Sequence, residues 1–314
     1  MPPPLCATTS AEWTPDWLDA QYNNRARVPQ AMEHLQRWAA ESADARAQLA
    51  ATGQAVLDVP YMVEPHLAAA IQTLDIFTPP AHVSPPPGGW PVLVFIHGGY
   101  WRALDKADHS FLAPTWVNAL AAPGAVVVIP NYALCPVVSV STITAQMQQA
   151  VAWVWKHVAQ HGGNPQRITV AGHSAGGHLA GMLLATPASR WQALGVAAET
   201  ATGPGPVQHG VSISGLFDLE PIRQTPFLVD LGLTPEEAQA QSPVRHPHVG
   251  GVLTAVVGGD ESPEFLRQNT LLQQVWGEAA APVAEVLPGL NHFSVLEECA
   301  KQKSRLAGLI AGRL

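Results

Sequence analysis

Charge is scarce in this chain. Only 13% of its 314 residues are charged, and 16 basic against 24 acidic side chains leave a net charge of −8. A nucleic-acid surface needs a basic footprint, so this balance excludes that class. Cysteine is scarcer still. Cys6, Cys135 and Cys299 are odd in number and far apart, without the spacing of a metal or redox pair, and read as free structural thiols. No run of about 18 apolar residues occurs, so no membrane span is expected. The start MPPPLCATTS has neither a basic leader nor an apolar segment. It reads as no signal peptide, and the expected location is cytoplasmic.

What the chain holds in quantity is apolar residues, 47% of the total, enough for the core of one large α/β domain. Ten tryptophans are many for this length. Most are expected to pack the core, and a few to line a pocket for a flat substrate.

The first fifty residues read as helical, a segment over 1–52 packing on the main domain of 53–314. Thr14 is an N-cap with Pro15 at N1, and a second helix is expected over about 29–49 with Met32, Leu35, Trp38 and Leu49 on one face. From residue 54 short apolar runs alternate with helical stretches. Strands are expected at 55–61, 71–77, 92–97, 125–130, 167–173, 210–215, 252–258 and 282–287, and helices at 108–121, 142–161, 176–186, 263–279 and 293–311. The later strands are continuous apolar runs, as in a sheet covered on both faces. Repeated units of this kind build a doubly wound, mainly parallel sheet. Residues 216–250 are too long for an ordinary connection and read as a small cap, with Thr234 and Glu237 as a capping box.

The chemistry starts at AGHSAGGHL, residues 171–179. Gly172-His173-Ser174-Ala175-Gly176 is a G-x-S-x-G pattern, with the strand ITVA running into it and a small-residue helix running out. Such a strand–turn–helix strains the serine backbone and lifts its hydroxyl above the sheet. A serine hydroxyl needs a base, and the base needs an orienting acid. His173 and His178 are near in sequence, but side chains diverge on a sharp elbow. His173 is expected under the turn, and His178 on the site floor or bonded to backbone. In a doubly wound sheet the partners come from loops after later strands, in the order serine, acid, histidine. VVGGDESPEF supplies Asp260 or Glu261 as the acid, and PGLNHF supplies His292 as the base. His97-Gly98-Gly99-Tyr100-Trp101 follows an earlier strand as an oxyanion loop would. The backbone N–H groups of Gly98, Gly99 and Ala175 are the expected oxyanion hole. Tyr100 and Trp101 are candidates for the substrate pocket.

HGGYW, GHSAGGHL, ESPEFLRQ and the NHF loop together resemble the α/β-hydrolase-type arylformamidases, also called kynurenine formamidases, within the hormone-sensitive-lipase-like esterase group. The resemblance covers about residues 70–311, and YNNRARVP near the start also looks like bacterial members. It implies an α/β-hydrolase fold and cofactor-free hydrolysis of N-formyl-kynurenine to kynurenine and formate. The family register puts the triad acid directly before S-x-E-F, which lands on Glu261, where Asp is more usual, and makes Asp260 its neighbour. The expected partner is a small aromatic substrate, with no nucleic acid and no membrane, and a homo-oligomer is left open.

Three other readings accompany this one. A carboxylesterase or another amide or carbamate hydrolase would use the same machinery, because specificity resides in the pocket. A binding protein on the same scaffold would usually lack a triad member, most often the histidine. His246, His248, His173 and His178 can be grouped as metal ligands on paper, but no HExxH occurs, and loop or packing roles account for them better. No metal and no cofactor is expected.

Overall fold

Strands form where the apolar runs predict them. The computed structural model describes residues 13–64, 67–68, 70–118, 124–196 and 205–314. Its strands are β1 (Ala55–Pro60), β2 (Thr73–Phe77), β3 (Trp90–Ile96), β4 (Val126–Pro130), β5 (Gly163–His173), β6 (Val207–Ile213), β7 (Val252–Gly258) and β8 (Val283–Leu287). They form one sheet in the order β1-β2-β4-β3-β5-β6-β7-β8. β2 runs antiparallel to β1 and β4, and the remaining pairings through to β8 are parallel. This is the α/β-hydrolase sheet. In β3, Val92, Val94 and Ile96 enter one core while Leu93 and Phe95 enter the other. That period of two is what a strand buried on both faces requires. Helices Val140–His157, Ala175–Leu184 and Pro263–Trp276 cover the first core, and Ala31–Ala51, Ala113–Val117 and Arg305–Ala311 the second.

The helices depart from expectation where side chains compete for backbone groups. Over 108–121 a single helix is replaced by 3₁₀ turns at 106–108 and 110–112 followed by Ala113–Val117. Asp105 accepts from Ala107 N at 2.8 Å while Asp108 accepts from Asp105 N at 3.0 Å, which favours a tight turn. The end of that expected helix, like Cys6, lies outside the described residues. The helix expected over 293–311 divides into Ser294–Glu297, a 3₁₀ turn and Arg305–Ala311. Ser304 causes the division: its hydroxyl caps Ala307 N and donates to Glu298 O at 2.6 Å. In the N-terminal segment Thr14 caps Trp17 N at 3.2 Å, Pro15–Tyr22 is helical, and a short turn of helix, Asn24–Arg27, precedes Ala31–Ala51. Met32 is exposed, contrary to the expected face; Ala31, Trp38, Ser42, Ala45 and Leu49 form the buried one.

Two devices fix the pieces that surround the site. Asp75 on β2 is fully buried between Arg46 of helix Ala31–Ala51 and Lys106, whose Nζ lies 3.0 Å away. It also accepts from Asp58 N at 2.9 Å, where β1 breaks register and Asp58 has φ 57°. A buried carboxylate costs several kcal/mol unless it is paired, and here two cations and an amide meet it. The pairing holds the N-terminal helix against the sheet. On the other face, residues 216–250 fold as short helical turns, among them Glu220–Arg223 and Pro235–Ala240. Thr234 caps Glu237 N as expected, but the Glu237 carboxylate accepts from Ser141 N at 3.1 Å instead of closing the capping box. His178, fully buried on helix Ala175–Leu184, donates from Nε2 to Gln241 O at 2.6 Å and so ties that helix to the excursion. Burial pushes its imidazole down to about 4.

Two measurements follow. Asp75→Ala leaves Arg46 and Lys106 facing each other without their buried partner and is expected to cost about 3–5 kcal/mol in urea denaturation. Asp58→Ala removes a partner whose side chain is 60% exposed and is expected to cost under about 1 kcal/mol. For His178, the unfolded chain takes up a proton near pH 6.5 that the folded chain refuses until about pH 4. Its contribution is therefore complete above pH 6.5 and is lost as pH falls through that window, at up to about 1.4 kcal/mol per pH unit. His178→Gln should remove that share of the slope of unfolding free energy between pH 7 and 5.

Candidate active site

β5 ends at His173, and the next residue turns sharply, with Ser174 at φ 55° and ψ −115°. A non-glycine residue held there stores about 1–3 kcal/mol of strain. The Ser174 amide is fixed by Ile213 O at 2.8 Å. The two flanking glycines are set by close approach. A Cβ on Gly172 would lie 2.2 Å from Gly176 O, and one on Gly176 would lie 2.0 Å from Ile96 O. The elbow therefore passes with no space to spare beneath the end of β3. Although Ser174 occupies the N-cap position of helix Ala175–Leu184, its side chain makes no capping bond. Its hydroxyl is left to the cavity that it lines, at the positive end of the helix.

The loop after β3 lies directly against this turn. A Cβ on Gly98 would lie 3.2 Å from the Ser174 Cβ and 2.9 Å from His173 O, and one on Gly99, at φ 103°, would lie 2.1 Å from Ala103 O. The loop is held from behind by groups not singled out from the sequence. Tyr132 stacks on His97 with ring centroids 4.1 Å apart and donates to His97 O at 2.9 Å. His97 sits 3.1 Å from Asn131 Oδ1 and is kept neutral by burial. Both supports come from NYALCP, at the end of β4.

Glu261, not Asp260, meets His292. The Glu261 side chain is buried, and its Oε2 accepts from His292 Nδ1 at 2.6 Å. Its Oε1 accepts from the Ser214 hydroxyl at 2.5 Å and from Gly258 N at 2.8 Å. Asp260 is exposed in the same turn, with its amide on Leu290 O. A neutral imidazole that donates from Nδ1 keeps its lone pair on Nε2. His173 packs under the turn, with its ring 4.7 Å from that of His292, and donates from Nε2 to His292 O at 2.8 Å. Burial, with His292 beside it, holds the His173 imidazole well below its ordinary range, so it stays neutral and fixes the backbone of His292. Ser214 was not found from sequence. Its φ of 52° at the end of β6 is a signal visible only in three dimensions.

Ser174 and His292 open onto a cavity of about 290 Å³, lined also by Trp38, Tyr100, Phe227 and Phe293. Trp101, the second aromatic expected there, instead lies fully buried with its ring edge-on to His178 at 5.0 Å. The roof comes from two places. Asn23, Asn24, Arg25, Leu35 and Trp38 belong to the N-terminal segment, and Phe227 to the excursion of 216–250. The Tyr100 hydroxyl donates to Tyr22 O at 2.5 Å, and the Tyr22 hydroxyl to Glu264 at 2.6 Å, which joins the roof to the loop after β3 and to the helix after Glu261. His246 and His248 donate to Ala240 O and Gly251 O, away from this cavity. Among the described residues no group of three or more His, Cys, Asp or Glu is arranged to hold a metal ion, and no helix is long and apolar enough to cross a membrane.

The BD-FAE family model matches residues 74–240. A kynurenine formamidase from Danio rerio is 30% identical over 264 residues, 82% of this chain and 81% of that protein. Esterase LipQ of Mycobacterium tuberculosis is 25% identical over 96% of this chain and 85% of its own length. Among solved structures, a thioesterase candidate from Silicibacter sp. tm1040 superposes with a TM-score of 0.74 at 32% identity, covering 92% of this chain and 97% of the other. By kinship and fold the chain is a hydrolase that belongs to the BD-FAE family and to the α/β-hydrolase-type arylformamidases, within an esterase-like group.

Proposed function

We propose that this hydrolase cleaves an aryl formamide, N-formyl-kynurenine, to kynurenine and formate through a formyl-enzyme. The observation that carries the catalytic part is the His292 ring, bound through Nδ1 to a buried Glu261 and lining one cavity with Ser174. Ser174 Oγ attacks the formyl carbon while His292 Nε2 takes its proton. The tetrahedral oxyanion is held by the N–H groups of Gly98, Gly99 and Ala175, and Glu261 stabilises the imidazolium. His292 then gives the proton to the aryl nitrogen, the C–N bond breaks and the arylamine leaves. Water attacks the formyl ester, His292 takes a proton from it, formate departs and Ser174 regains its hydrogen.

Two observations support the choice of substrate. Tyr100, Trp38, Phe227 and Phe293 give the cavity aromatic walls suited to a flat ring, and the relative from Danio rerio is named a kynurenine formamidase. The similarity to Esterase LipQ across nearly the whole chain favours a second reading, a carboxylesterase with the same triad. An arylamine and a phenolate are both adequate leaving groups, so weak activity on short aryl esters is expected under either.

A substrate panel separates the two. N-formyl-kynurenine should exceed p-nitrophenyl acetate in kcat/KM; the reverse order replaces formamidase by esterase. Ser174→Ala should lose roughly 10⁴-fold or more in kcat, and full activity in this variant would sink the triad altogether. Glu261→Gln should lose about 10³-fold or more, because the wrong ring tautomer is then held, whereas Asp260→Asn should change little. Ser214→Ala should lower kcat by a smaller factor, read in the same assay, since Glu261 retains Gly258 N.

A further inference from the structure

The turn that roofs the cavity contains two adjacent asparagines with opposite fates. Asn23 is used by the fold: its Oδ1 caps Ala26 N at 3.2 Å and its Nδ2 donates to Asp19 at 3.1 Å. Asn24 is 4% exposed, and neither its Nδ2 nor its Oδ1 finds a hydrogen-bond partner among the described residues. Leaving a buried amide unpaired costs about 1–3 kcal/mol for each group, and native chains rarely tolerate it. Asn24 lines the same cavity as Ser174 and His292. Its backbone is not free to drift, since Val28 N bonds to Asn24 O and the Tyr100 hydroxyl bonds to the preceding Tyr22 O. Asn24 thus brings an unpaired donor and acceptor, both closed to water, to a cavity whose walls also hold Trp38, Tyr100, Phe227 and Phe293 beside Arg25 and Arg102.

We propose that Asn24 is the specificity residue of this cavity, receiving from an aryl substrate a polar group that offers an acceptor and a donor side by side. An ortho-acyl anilide, with its ring carbonyl beside the anilide N–H, fits that description, and so does an aryl carboxamide. Nδ2 donates to the substrate carbonyl and Oδ1 accepts from its N–H. The assignment rests on the cavity being the substrate site, but not on the scissile bond being a formamide.

Substrate pairs with and without an ortho polar group provide the test. The ester pair is phenyl acetate and 2-carbamoylphenyl acetate, and the formamide pair is formanilide and N-formyl-kynurenine. Asn24→Leu keeps the side-chain size and removes both hydrogen-bonding groups, while Asn24→Asp keeps the shape and removes the donor. In each variant kcat/KM for the polar member should fall about tenfold or more beyond the change for its plain partner, chiefly through KM. The ligand-free Asn24→Leu protein should melt no lower than wild type. Equal losses on both members of a pair would mean that Asn24 only shapes the roof, and no loss would mean that it holds only water; either result overturns the proposal. Discrimination in the ester pair without turnover of N-formyl-kynurenine by wild type leaves Asn24 standing and removes the formamidase reading. Turnover of N-formyl-kynurenine unaffected in both variants does the opposite. If neither ester is hydrolysed, the thermal shift given by kynurenine decides: it should be present in wild type and lost in Asn24→Leu.

Discussion

Where the chain leaves β5, three backbones meet without room for a methyl group. The Ile96 carbonyl at the end of β3, the Gly176 carbonyl in the first turn of the helix and the strand residue Gly172 are in mutual close approach. Ser174 adopts φ 55° at that crossing, which also sets its distance from the Gly98-Gly99 loop, because the loop is the direct continuation of β3. Moving one of these backbones would displace the others with it. The strain at one residue is thus offset by the packing of a whole sheet edge, as expected when a site sits on rigid elements.

Glu261 is held by more hydrogen bonds than His292 alone supplies. Glu261 receives the Ser214 hydroxyl, the Gly258 amide and His292. Three donors fix the orientation of the carboxylate, and with it the orientation of the imidazole opposite. Asp260, the neighbouring carboxylate, faces solvent and takes no part in this set of bonds. His173 completes the arrangement from below by holding the His292 carbonyl.

Much of this was legible in the sequence, for physical reasons that can be named. The strands of the sheet are apolar runs bounded by turn residues, and runs of that kind have few other options. The elbow was legible because glycine, serine and small residues recur where backbones must touch. The helix expected over 293–311 was misread because its apolar spacing continues through Ser304, whose cap restarts it. Met32 was misplaced because the buried face of its helix is composed largely of alanine and serine. Ser214, Tyr132 and Phe227 carry no local signature, and the YNNRARVP stretch that holds Asn24 shows a resemblance without a role. Their roles depend on contacts between segments distant in sequence, which no window of residues contains.

The chamber has walls from both ends of the chain. Its roof is laid by Asn23, Asn24 and Trp38, its floor by Ser174, and its far wall by His292 and Phe293. Tyr22 and Glu264, 242 positions apart, are joined by one hydrogen bond. During synthesis the roof is therefore made long before the histidine exists, and it waits without a site to cover. The cavity comes into being only when residues 23–38 and 292–293 have found each other, so no fragment of the chain contains it.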